Sequence, residues 1–305
     1  MFRKTQGKSL LVMSVAVLCA LGGSSHGAFF HTAQGIVDGA TFGEQFPQVG
    51  VVSMLRGTDA GGASGVLIAE DWVLTAGHVL ARPGDLTGEN IDGIRFRTGS
   101  DPFGVGPTHL READAWFVHP GYTLQTADGV DLALVHLSAP ITDVAPASIF
   151  DGTVITGMEF YGVGYGEQGS VETGLLPIDW RRRAGGNLTT DVRHGPDDFI
   201  SSRFDAMDNG GMPDEWLGTG GDSGGGWFVD ENGELKLFAI NSANLGSSPG
   251  YGAFTIGMPI QPHLNWIEET MASVPEPSSG VGAFLMLNCV LIWGIPRRRR
   301  MRRFL

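Results

Sequence analysis

The chain has 305 residues, 47 of them glycine, with 33 acidic against 20 basic side chains and a net charge of −13. That length is ample for a packed core in one large domain or two modest ones. The acidic balance repels phosphate backbones and speaks against nucleic acid as a partner.

In chain order, the first element is a leader. Arg3, Lys4 and Lys8 precede an apolar run from Leu10 to Leu21, and small residues around Ser25 and Gly27 offer a cleavage site. Residues 1–27 therefore read as a secretory signal peptide rather than a short anchor. From Ile36 onward, short apolar or alternating runs recur between Gly, Pro, Asn and Asp. They are VGVVSML, SGVLIAEDWVLTA, GIRFRTG, ADAWFVH, DLALVHL, GMEFYGVGYG, GGWFV, ELKLFAI and GAFTIGM. Their lengths and their β-branched and aromatic content predict strands. One helix is predicted at the end, with Pro262 in its first turn and Leu264, Ile267 and Met271 recurring at spacings of three and four. Many short strands closed by one terminal helix predict an all-β barrel architecture. Residues 272–280 read as a Pro/Ser linker. Cys19 and Cys289 both lie in the end segments, so the body between them carries no thiol for a disulfide.

The stretch GTGGDSGGGW, residues 218–227, sets one serine among six glycines. Glycine suits both a slack turn and a backbone cradle around a nucleophile, so a base and an orienting acid must be found elsewhere. WVLTAGHVLA puts His78 just after an apolar run, where a strand end can hold an imidazole rigidly at a cleft. GVDLALVHLSAP puts Asp131 at the head of an apolar strand. A buried carboxylate there is costly without a partner, and a histidine N–H is an economical one.

TAGH, DLALVHL and GDSGG, in the order His, Asp, Ser, resemble the chymotrypsin/trypsin-like serine proteases. IVDGA at 36–40, VHPGY at 118–122, INSAN at 240–244 and GAFTIGM before the NWI-containing helix extend the resemblance over about residues 36–271. The resemblance implies two six-stranded antiparallel β-barrels with a C-terminal helix, the first over about 36–150 and the second over about 151–271. It implies His78 as general base, Asp131 as its orienting acid and Ser223 as nucleophile. The N–H groups of Gly221 and Ser223 would form an oxyanion hole, with the glycines shaping the turn that aims them. Leu217, six positions before the serine, would form the base of the substrate pocket, with Asn244 and Gly252 on its walls. With no carboxylate at that base, cleavage after uncharged, apolar residues is expected rather than after Lys or Arg. The family also pairs the aspartate before the serine, here Asp222, with a newly cut amino terminus, here Ile36. Gly35 stands where that cut usually follows Arg or Lys. Either another protease trims residues 28–35 as a short propeptide, or Asp222 finds a different cation and no zymogen exists.

Three further features complete the reading. The acidic loop DAMDNGGMPDEW at 205–216 gathers Asp205, Asp208, Asp214 and Glu215, oxygen ligands of the kind calcium takes, but it lacks a full ligand alternation. No histidine spacing suggests another metal. WRRRAGGN at 180–187 is a basic island that would either dock an anionic polymer or pair with local acids, and its Asn187 opens a glycosylation sequon.

At the far end VPEP, residues 274–277, leads into an apolar stretch from Gly280 to Ile295 and then arginines at 297–300, 302 and 303. Sixteen helical residues span roughly 24 Å, short of a hydrocarbon core of about 30 Å. In order and content this tail resembles a PEP-CTERM sorting signal. The resemblance implies transient membrane insertion through 281–305, processing by an exosortase-type enzyme, and delivery to a bacterial envelope or extracellular matrix; a permanent tail anchor is the alternative. Nine of the 20 basic residues and one of the 33 acidic ones lie in the two ends, so the body carries 11 against 32, a net charge near −21. Two functions fit the body. One is an exported serine endopeptidase acting on protein or peptide substrates. The other is a surface protein that keeps the scaffold without turnover. A complete triad with Gly221 favours the first.

Overall fold

The computed structural model describes residues 28–104, 107–124, 129–193, 198–246 and 248–275. The expected leader over 1–27 and the sorting tail from 276 lie outside the described residues. In chain order the elements begin with β1 (Phe29–Phe30), α1 (Ala33–Gly43), β2 (Val49–Arg56), β3 (Asp59–Ala69), β4 (Trp72–Thr75) and α2 (Gly77–Leu80). There follow β5 (Gly93–Arg97), β6 (Leu110–Val118), β7 (Ala133–Leu137), β8 (Glu159–Gly164), β9 (Gly169–Ser170) and β10 (Gly174–Leu175). The chain continues through β11 (Arg183–Arg193), β12 (Phe199–Arg203), β13 (Gly226–Glu231), β14 (Glu234–Leu245), β15 (Phe254–Pro259) and α3 (Leu264–Ser273).

Two closed six-stranded barrels carry the fold, β2-β3-β4-β7-β6-β5 and β11-β12-β15-β14-β13-β8. Each barrel is antiparallel throughout, as the alternating apolar runs and short turns imply. Full closure leaves neither barrel a free edge for other chains to pair with. The first barrel is filled by aliphatic side chains such as Val52, Leu67, Val73, Leu134 and Val135, all with no exposed surface. The second has an aromatic core. Phe160 stacks on Trp227 with centroids 4.3 Å apart, and Phe238 meets Phe160 edge-on at 5.8 Å. Such pairs add to simple burial. Contacts divide the chain into a unit Met1–Ile267, which holds both barrels, and a unit Glu268–Leu305, whose described residues begin with the last turns of α3. No described helix is long and apolar enough to cross a membrane.

The amino-terminal segment departs from expectation. Residues 36–40, read as a liberated terminus leading the first barrel, lie inside α1, and α1 packs on β11 of the second barrel. Thr32 caps α1, its Oγ1 accepting from the Gly35 N–H at 3.0 Å. Glycine at position 39 permits the close approach: a Cβ there would come within 2.4 Å of the Phe30 ring and 3.1 Å of the Ala184 carbonyl. The basic island completes the attachment. Arg182 and Arg183 are buried, and their guanidinium groups donate to the Gly43 carbonyl at 2.7 Å and the Ile36 carbonyl at 3.3 Å. Arg183 also forks onto Asp179 at 2.7 and 2.8 Å. Of the two readings of WRRRAGGN, pairing with local acids is the one found for Arg183, on Asp179, and for Arg181, 3.5 Å from Asp101, whereas Arg182 is taken up by carbonyls and the Tyr165 hydroxyl. Asn187 is buried too, donating to the Trp216 carbonyl.

Candidate active site

Strand register brings the first two candidate groups together. In the first barrel β4 pairs with β7, with Thr75 opposite Ala133. His78 lies on the single turn of α2 just past β4, and Asp131 stands just before β7. The carboxylate of Asp131, wholly buried, accepts the His78 backbone N–H at 2.8 Å and contacts His78 Nδ1 at 2.8 Å. It also accepts from the Ser242 hydroxyl, on β14 of the second barrel. The other ring nitrogen, His78 Nε2, lies 2.8 Å from Ser223 Oγ. The three side chains thus form one hydrogen-bonded line, with about a quarter of the imidazole exposed to solvent.

The electrostatics follow from burial and pairing. Burial alone pulls the His78 pKa down, but the charge and hydrogen bond of Asp131 outweigh it and raise it above the ordinary value. For Asp131, burial acts upward, yet His78 and the hydroxyl and amide donors prevail and hold the carboxyl below its usual range. The pair therefore keeps Asp131 ionised, with its charge directed at one imidazole.

Ser223 sits on a loop clamped from the opposite barrel. Ser64 of β3, fully buried, donates its N–H to the Ser223 carbonyl at 2.8 Å and its hydroxyl to the Gly221 carbonyl at 2.9 Å. The same hydroxyl accepts from the Tyr165 N–H at 3.0 Å. Along the loop, the N–H groups of Gly224 and Gly225 donate to the Asn241 and Asp222 carbonyls. Those of Gly221 and Ser223 have no acceptor among the described residues. Gly221 adopts φ 95°, and a Cβ there would come within 2.8 Å of Gly166 Cα, so both conformation and space demand glycine.

Beside this loop opens a cavity of about 500 Å³, lined by Phe29, Leu175, Leu217, Asn244 and Ala253 among others. Among the described residues, no charged side chain lines it. Gly252, expected as a wall, is not part of the lining; its N–H donates to the Phe204 carbonyl at 2.7 Å, and Gly250 and Ala253 line the cavity on either side of it.

A model of the trypsin family matches residues 39–267, from within α1 to the buried Ile267. The chain belongs to the trypsin family. No curated protein matches it. Family membership makes this trypsin-family chain a serine-type endopeptidase, a hydrolase whose substrates are proteins or peptides.

Two further regions of the trypsin-family chain were singled out in its sequence, the Ile36–Asp222 pair and the acidic loop. The ion pair of Ile36 with Asp222 is not formed in the uncut chain, because Ile36 is a buried helical residue. Asp222 is instead held by the amides of Gly166 and Thr219, each at 3.0 Å. Burial pushes its carboxyl up to about 7, against the pull of those amides and of the Arg183 charge. In the acidic loop, Glu215 turns inward to accept the Asp205 N–H at 2.8 Å, and Asp205 faces Arg203 at 3.3 Å. Among the described residues, no group of three or more His, Cys, Asp or Glu is placed to hold a metal. Sequence reading missed Ser64, Ser242 and Phe29. Ser242 lay inside the INSAN motif, whereas nothing local marks Ser64 or Phe29, whose partners lie on distant segments.

Proposed function

We propose that the chain is an exported endopeptidase in which Ser223 is the nucleophile, His78 the general base and Asp131 the group that orients it. The observation that carries this reading is the continuous line of contacts from Asp131 through His78 to Ser223, each 2.8 Å long. Ser223 Oγ forms a bond to the scissile carbonyl carbon while its proton passes to His78 Nε2. The carbonyl π electrons move onto oxygen, and the Gly221 and Ser223 N–H groups, free of internal acceptors, receive that negative charge. One such donor is commonly worth about 3 kcal/mol in the transition state. His78 then gives its proton to the departing amine as the C–N bond breaks, leaving an ester on Ser223. Water attacks that ester with His78 again as base, and the proton returns to Ser223 Oγ as the acid departs.

The cavity lining is uncharged and includes Phe29, Leu175 and Leu217 beside Asn244, which supports cleavage after uncharged side chains, apolar ones among them. A fluorophosphonate probe tests the chemistry: wild-type protein is expected to gain the adduct mass on Ser223, and Ser223→Ala to stay unlabelled. Wild-type protein that never reacts would overturn the hydrolase reading. A peptide library would show preference for uncharged residues before the cut, and strict Arg or Lys selection would overturn the pocket reading. Export and sorting rest on the two end segments. Fractionated cells are expected to release a protein lacking 281–305 to the envelope or matrix; recovery of that tail in the mature exported form would count against exosortase-type processing.

A further inference from the structure

The cavity has a wall that the family resemblance does not supply. Strand β1 lies between the two segments that face each other across it. On one side, the Phe29 N–H donates to the Leu217 carbonyl at 2.9 Å, and the Leu217 N–H returns a bond to the Phe29 carbonyl at 3.0 Å. On the other, the Gly169 N–H donates to the Ala28 carbonyl at 3.1 Å and the Val171 N–H to the Phe30 carbonyl at 3.0 Å. Leu217 and Val171 both line the cavity, so β1 ties its two sides together. The Phe29 ring packs with Phe204, Leu217 and Ala253, meeting the Phe204 ring edge-on at 5.8 Å. Ala28, Phe29, Phe30 and His31 are all buried. His31 seals the end of the strap, lying 2.9 Å from the Met212 carbonyl and stacking on Phe204 at 4.8 Å.

These contacts also bear on processing. The Gly35–Ile36 bond lies in the first turn of a capped helix with Ile36 buried, so a protease would have to unfold that turn to reach it. The carboxylate that a new terminus would seek already accepts two amides. Resting on the hydrolase reading above, we propose that residues 28–31 are a permanent wall of the substrate pocket, that Phe29 is a specificity-determining residue, and that the enzyme works with residues 28–35 attached.

Mass mapping of wild-type protein labelled by the fluorophosphonate probe tests the second half without any substitution. Labelled chains are expected to retain Phe29. Label found only on chains that begin at Ile36 would overturn the proposal, and absence of label from every form would sink the hydrolase reading and this inference with it. The pocket wall is tested by kcat/KM on peptides with Phe or Ala before the cut. Phe29→Ala should raise the Phe-to-Ala ratio tenfold or more as the wall recedes, and Phe29→Leu should raise it less. Val37→Ala, on the exposed face of α1, should leave it alone. An unchanged ratio in Phe29→Leu and in any folded Phe29→Ala would refute Phe29 as a specificity determinant.

Discussion

In the proposed mechanism Asp131 sets the proton chemistry by what it does to one imidazole. Burial would leave His78 a weaker base, and the Asp131 charge reverses that. A general base must be neutral, so kcat/KM for peptide hydrolysis is expected to rise with pH through a midpoint above the ordinary histidine value of 6.5. Asp131→Asn removes the influence that raises it. Its midpoint should fall below that of the wild type, and kcat should drop about 10⁴-fold as the tautomer is lost. A pH–rate profile with the same midpoint in both proteins would refute the coupling. At this scale much was legible. A carboxylate at the head of an apolar strand demands a partner, and GDSGG beside TAGH named the other two side chains. The Ser242 donor and the Ser64 clamp were not legible, because a serine carries no signal of the distant group its hydroxyl will meet.

Among the elements, α1 is the least expected. Its eleven residues include Gly35, Gly39 and Gly43, and a glycine inside a helix costs about 1 kcal/mol relative to alanine. Local propensity thus argues against the element that forms. Beyond its local Thr32 cap, what holds α1 is tertiary: the Phe30 ring beneath Gly39 and guanidinium groups reaching its carbonyls. Phe30 is 1% exposed in the second-barrel core. Phe30→Ala is expected to destabilise the protein by about 3–5 kcal/mol in urea titration, against no more than about 0.5 kcal/mol for the exposed Val37→Ala. Equal midpoints for the two variants would show that the segment is a dispensable extension. The strands of the first barrel, by contrast, were legible as short apolar runs, as were β8, β13, β14 and β15; β11 and β12 carry no such run and become strands by pairing with β8, with β15 and with each other.

Over the whole molecule, acidity and burial act in the same direction. Burial lifts Glu215 from its ordinary 4.5 to about 7, aided by the Asp205 charge and opposed by the amides it accepts. Asp222 rises likewise to about 7. A folded-state value above the unfolded one means that the native chain binds more protons. The resulting stability is fully present below each group's ordinary value, 4.5 for Glu215 and 3.8 for Asp222, and is lost as pH rises through about 7, at no more than about 1.4 kcal/mol per pH unit and group. Self-repulsion of a strongly acidic body adds to the same trend. Urea midpoints should therefore fall between pH 5 and pH 8, and Glu215→Gln should shrink that fall. A variant with the wild-type slope would show that Glu215 is charged throughout.

Sequence alone determined the class of chain: barrels from the period of apolar runs, and the trypsin family from three short motifs in order, which also hold the side chains proposed as nucleophile, base and acid. Those features are local, readable from neighbours along the chain. Only the tertiary structure decided where residues 28–43 belong and what seats Asp222. A glycine-rich helix that buries one face and a two-residue strand gain their stability from surfaces contributed by segments far away in sequence. The same holds for the pocket, where Phe29 and Leu217 become neighbours by pairing across nearly the whole length of the folded body.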